Sequence, residues 1–137
     1  MALQIYATGI GTSASAPTTP TFAGIVDCIV YTNGVLRPRW AAATNKTGYK
    51  LYIRAASADL FSDTYWVQTV PEGVTETLLS MLPDASRLLQ DVTYYIGIRA
   101  INETIEDSNT VTLSLTVSAN GALIKLPVQV ITPIIKN

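Results

Sequence analysis

The sequence predicts an all-β chain, an antiparallel β-sandwich carrying extended N- and C-terminal arms. Three observations predict it. Short runs that alternate apolar and polar residues recur between positions 21 and 117, turn-forming residues separate them at regular spacing, and no long stretch keeps the 3.6-residue period of a helix. With 137 residues and 48% hydrophobic content, the chain suits one domain with one core.

The elements follow in order. Residues 11–20, GTSASAPTTP, have the small, polar makeup of a linker, so the sandwich is expected over 21–117, with an N-terminal arm and linker at 1–20 and a C-terminal arm at 118–137. The β-branched run at 25–31 leads into Asn33-Gly34 and a second run from Val35, the pattern of a tight hairpin whose turn positions need positive φ. Alternation sets Leu36, Pro38 and Trp40 on one face and Arg37 and Arg39 on the other. Pro38 lacks a backbone donor, so this second strand is expected to be irregular there. The third strand, GYKLYIRA, turns Tyr49, Leu51 and Ile53 inward and Lys50, Tyr52 and Arg54 outward.

A shorter strand is expected at 64–70 and another at 76–81, with a helical turn after Pro83. TYYIGIRAI turns Tyr94, Ile96, Ile98 and Ala100 inward, and VTLSLTV does the same with Val111, Leu113, Leu115 and Val117. Cys28 sits in the apolar run IVDCIVY and reads as a buried thiol without a disulfide partner, the only cysteine of the chain.

Composition also excludes chemistry. There is no histidine, which removes the usual general base, the common zinc ligand and every Ser-His or Cys-His pair. Glu103, Glu106 and Asp107 lie in one polar stretch with Asn102 and Asn109, but their spacing fits no calcium loop, and they read as a solvated turn. Asn45-Lys-Thr47 and Asn102-Glu-Thr104 have the glycosylation spacing and read as loop residues. No catalytic, cofactor-binding or metal-binding residue is expected, and the chain is not expected to be an enzyme. A net charge of −1 supplies no basic surface for nucleic acid. No run reaches the roughly 20 apolar residues of a membrane span, and no secretory leader is read at the N-terminus.

Order and spacing carry more than a generic sandwich. Trp40, Gly48-Tyr49-x-Leu51, and Leu88 followed by Tyr94-x-Ile96-x-Ile98-x-Ala100-x-Asn102 together resemble the fibronectin type III pattern of immunoglobulin-like sandwiches, over residues 21–117. Gln90-Asp91-Val92 stands where that pattern usually has Pro-Gly-Thr. The resemblance implies a structural core of Trp40, Tyr49, Leu51, Leu88, Tyr94, Ile96 and Ile98, with the Tyr94 hydroxyl bonded to backbone a few residues upstream. The phrases PTFAGI, WAAAT, LFS, YYIGIRAI and EDSNTVTLS are further similar to type III modules of tailed-bacteriophage virion proteins. That similarity implies a virion structural protein, made in the host cytoplasm, that decorates a capsid or tail. Its partners would be other virion proteins and copies of itself.

The ends of the chain point the same way. The segment ALIKLPVQVITPIIKN places Leu123, Ile124, Leu126, Val128, Val130, Ile131, Ile134 and Ile135 in a stretch with two prolines, which block a helix and favour extended geometry. Extended at roughly 3.3 Å per residue, positions 118–137 reach about 65 Å. Leu3, Ile5 and Tyr6 form a second short apolar arm. These residues are expected to bind partners by adding strands to a neighbour's sheet, the alternative being that the tail folds back on its own sheet edge. Tyr52 and Tyr95, with Arg54 and Arg99 near them in pattern, are expected as outward contact residues, and they keep a glycan-binding module as the rival reading.

Overall fold

The computed structural model describes residues 17–31, 34–117 and 123–125. In chain order the strands are β1 (Ile25–Val30), β2 (Leu36–Trp40), β3 (Gly48–Arg54), β4 (Trp66–Pro71), β5 (Thr93–Asn102), β6 (Ile105–Glu106), β7 (Leu113–Thr116) and β8 (Leu123–Lys125). A short 3-10 turn at Asp63–Tyr65 precedes β4. Among the described residues no helix is long and apolar enough to cross a membrane.

The strands form two antiparallel sheets. A three-stranded sheet runs β8-β1-β2, and a five-stranded sheet runs β4-β3-β5-β6, with β7 also paired to β5. One apolar core lies between them: Cys28, Val30, Leu36 and Trp40 from the first sheet meet Leu51, Ile53, Ile96, Ile98, Leu113 and Leu115 from the second. The alternation read from the sequence therefore sorts inside from outside on β2 and β5. All seven positions expected as structural core are buried, from Tyr49 and Leu51 at 0% exposure to Leu88 at 7%.

Aromatic rings centre this core. Trp40 packs on Tyr49 at 5.3 Å between ring centroids, and Phe22 packs on Tyr49 at 5.4 Å. The Tyr49 hydroxyl accepts the Ala43 N–H at 3.0 Å. The Tyr94 hydroxyl accepts the Leu89 N–H at 2.8 Å, which ties the chain before β5 to the strand itself. Cys28 is buried, and burial pushes its thiol up to about 12, so it stays protonated and inert.

Pro38 does not make the pairing of β2 with β1 irregular, since it stands in register opposite Cys28; its effect falls on the other edge of β2. The N–H groups of Leu36 and Trp40 donate to Leu79 and Thr75, so the even positions of β2 face the segment at 75–79. Pro38 is the even position between them and has no N–H to give, although its carbonyl accepts from Thr77. The strand expected at 76–81 is accordingly reduced to isolated bridges at Glu76, Leu79 and Met81. Beyond it, the helical turn expected after Pro83 is a tight reversal, in which the Leu82 N–H donates to the Ser86 carbonyl, the Leu82 carbonyl accepts from the Ala85 N–H, and Ala85 takes φ +70°.

At the hairpin between β1 and β2, Asn33 lies outside the described residues, and Gly34 has φ +79° as the turn requires. Ordered contacts begin before Thr21: the Thr18 hydroxyl accepts from Asn45, and its carbonyl accepts from Asn102.

Part of the C-terminal segment is a strand of the chain's own sheet. Leu123, Ile124 and Lys125 stand opposite Val30, Ile29 and Cys28 on the free edge of β1. For these three residues the fold-back alternative is the one adopted, because an apolar strand edge left open exposes backbone donors and acceptors that a neighbouring strand can satisfy. Leu3, Ile5, Tyr6, Leu126, Val128, Val130, Ile131, Ile134 and Ile135 lie outside the described residues.

Replacing Trp40 with Ala is expected to cost about 3–5 kcal/mol. Trp40→Phe should cost roughly half as much, since it keeps the ring against Tyr49 and removes an indole N–H that has no protein partner among the described residues. Denaturant midpoints at unchanged slope measure both.

Candidate functional site

The outer face of the five-stranded sheet gathers the largest group of charged and aromatic side chains described. Alternation along β3 sends Lys50 and Tyr52 to that face, where Lys50 stands opposite Arg99 of β5 and Tyr52 opposite Trp66 of β4 and Gly97 of β5. The loop between β3 and β4 then folds over this surface. It lays Phe61 edge-on to Tyr52 at 5.3 Å and beneath the Arg99 guanidinium at 4.2 Å. Gly97 makes that possible: a Cβ there would come within 2.4 Å of the Phe61 ring.

Glu106, on β6, is the hub. Its Oε1 accepts the Tyr52 hydroxyl at 2.8 Å, its Oε2 accepts Lys50 Nζ at 3.0 Å, and Arg99 approaches at 3.7 Å. Lys50 also donates to Asp63 at 3.2 Å and sits 4.2 Å above the Trp66 ring. Two cations and two carboxylates thus neutralise one another on a surface largely covered by the loop. Burial works against the Lys50 charge, but its bonds to Glu106, Tyr52 and Asp63 outweigh that and hold the ammonium above its ordinary range. A lysine held charged has no lone pair to act as nucleophile or base.

Tyr52 is a correction. It does lie on the outer face, yet its exposure is 0% because Phe61 and the loop cover it, so it is no surface contact residue. Burial, then donation to Glu106, pushes its hydroxyl from the usual 10 to about 12. Tyr95 is half-buried on the same face, between Arg54 and Ser114 in register. Arg54 turns instead to Tyr65, 4.1 Å from its ring, and donates to the Ala58 carbonyl.

Of the three acids expected as a solvated turn, Glu103 is exposed in a turn, and the other two are differently placed. Glu106 is the hub just described, and Asp107 is buried at 4% exposure, accepting from Ala100 N–H at 3.0 Å and from Asn109 N–H at 2.9 Å. Asn109 in turn donates to the Ile98 carbonyl and accepts from Val111 N–H. These bonds replace the ladder where the chain leaves β6 and has not yet joined β7. Among the described residues no group of three or more acids or cysteines is placed to hold a metal ion.

Among the grooves on the surface of the described residues, two adjoin groups already named. One, of about 300 Å³, lies beside the cluster and is lined by Lys50, Trp66, Thr69, Ile101, Glu103, Thr104 and Glu106. Its Trp66 is 41% exposed, the exposed aromatic that the sequence reading had placed at Tyr52. The other, of about 520 Å³, lies at the end of the molecule where β3 finishes, between Ala55, Ala56 and Tyr65 on one side and Leu82 and Pro83 on the other. Sequence reasoning found Lys50 and Tyr52 through alternation, but nothing in the run ASADLFSD signals that Phe61 returns over the sheet.

No protein-family model matches the chain, and no curated protein is significantly similar to it.

The raised Tyr52 hydroxyl sets a pH dependence. A tyrosine whose folded pKa lies above its unfolded value adds stability that is complete below about 10 and is lost as the pH rises toward about 12. Unfolding free energy should therefore fall across that window, more steeply than in Tyr52→Phe, with denaturation at graded alkaline pH as the measurement.

Proposed function

We propose that this chain is a bacteriophage virion structural protein, a fibronectin type III-like module that decorates a capsid or tail and assembles through its terminal arms. The observation that supports this reading is the stretch that follows Leu123–Lys125, which themselves fold back on the open edge of β1. The C-terminal segment already docks by strand addition, and the sequence continues past it with LPVQVITPIIKN, rich in apolar residues and free of acids. Burying each of its aliphatic side chains contributes about 1.5–3 kcal/mol gross, which ordering the backbone at about 1–2 kcal/mol per residue largely offsets. Repetition over many copies supplies the remaining affinity. The Tyr94 hydroxyl taking the Leu89 N–H and the buried Trp40 support the type III assignment within the all-β fold. The self-neutralised ion cluster suits a rigid block, and we assign the chain no catalytic role.

Removing residues 126–137 leaves β8 in place and takes away the apolar continuation. The shortened chain should keep its thermal transition and lose occupancy on purified virions, counted by quantitative mass spectrometry. Full occupancy would refute the arm reading.

A second reading, a glycan-binding module for host attachment, is favoured by the groove at Trp66. An exposed indole offers an apolar face to the C–H groups of a sugar ring, and Thr69, Glu103 and Thr104 bring hydroxyls and a carboxylate for its hydroxyl groups. On this reading Trp66→Ala abolishes binding on a glycan array without changing the fold.

A further inference from the structure

The larger groove and the direction of β8 belong together. β8 descends antiparallel to β1, from the level of Val30 to that of Cys28, and so heads toward the end of the molecule marked by Ile25, Trp40 and the Thr21–Thr44 bridge. The 520 Å³ groove is at the opposite end, beside Arg54 and the start of β4. It is also on the far edge, since β1, β2 and the 75–79 segment separate β8 from Leu82 and Pro83. Residues 126–137, extended at roughly 3.3 Å each, span about 40 Å. β5, at 10 residues, spans about 33 Å from one end to the other. To reach the groove of its own chain the segment must reverse its course and cross the width of the sheet. A copy stacked end to end presents the same groove in the direction the strand already points.

The chemistry matches. The walls at Ala55, Ala56, Leu82 and Pro83 are apolar or small, and Met81 nearby is 48% exposed. Two charged groups line the groove: the Arg54 guanidinium, held against Tyr65 and the Ala58 carbonyl, and Asp84. The Asp84 carboxyl accepts both the N–H and the hydroxyl of Ser86, bonds that lower its pKa and keep it ionised. The segment that would enter carries Ile131, Ile134 and Ile135 followed by Lys136, an apolar run ending in a cation.

We infer that the groove bounded by Ala55, Ala56, Leu82 and Pro83 receives residues 126–137 of a second copy of this chain, with Lys136 toward Asp84. The contact is heterologous, head to tail, so it builds a ring where the rotation closes and a filament where it does not. The inference rests on the arm reading and specifies the acceptor.

The test uses the full chain with its own tail blocked by Ile134→Asp and Ile135→Asp, titrated against a labelled peptide of residues 126–137 and followed by fluorescence anisotropy. Binding is expected, weakened at least tenfold by Ala55→Lys and severalfold by Asp84→Asn, with unchanged thermal unfolding showing that each variant is folded. Absence of binding at the highest soluble concentration, or binding indifferent to Ala55→Lys, overturns the inference. The two failures are separable. A chain lacking 126–137 that still misses virions, beside a peptide that ignores the groove, removes the groove and keeps the arm. A shortened chain that joins virions fully removes the arm reading itself.

Discussion

Each of the two sheets has one apolar face, and neither face can remain in water; their burial against one another is the constraint from which the rest of the molecule follows. Trp40 and Tyr49 meet across that interface, with Phe22 closing one end. Once they are inside, period-2 alternation leaves no freedom about the other side of each strand: Lys50, Tyr52 and Arg99 must stand on the outer face of the larger sheet. The backbone ends of the core are tied by tyrosine hydroxyls, Tyr49 to Ala43 and Tyr94 to Leu89, so that the hydroxyls brought in with these two rings are satisfied.

Faces settled in this way leave edges unsettled. β1 has an open side, and the chain after β7 crosses to the other sheet to fill it with Leu123–Lys125. On the opposite side of β2, Pro38 withholds one donor, and the segment at 75–79 pairs only in fragments. The molecule thus spends the first part of its C-terminal segment on its own edge, while the more apolar part follows in sequence. Assembly by strand addition would extend a mode of contact that the fold already uses within one chain.

The outer face shows how charge is managed on a sheet that a loop covers. Glu106 collects Tyr52, Lys50 and Arg99, and Asp63, exposed on the loop itself, completes the count of charges. This arrangement holds a loop in place and keeps Lys50 charged. It leaves Trp66 and the groove beside it accessible.

Alternation of side chains is a local property of extended backbone, and the sequence alone therefore determined the all-β class, the inward positions of β2, β3 and β5, the inertness of Cys28 and the turn at Gly34. What lay beyond it depended on contacts between residues distant in the chain. Tyr52 reads as exposed because its strand neighbours say so, and only the return of Phe61 onto Gly97 buries it. Glu106 and Asp107 read as a polar turn because nothing adjacent in sequence names Lys50, Tyr52 or Ala100 as their partners. The edge that Leu123–Lys125 would choose was equally closed to the sequence, since a strand's hydrogen-bonding partner is set by which edge the folded sheets leave open, and that edge exists only once both sheets have packed.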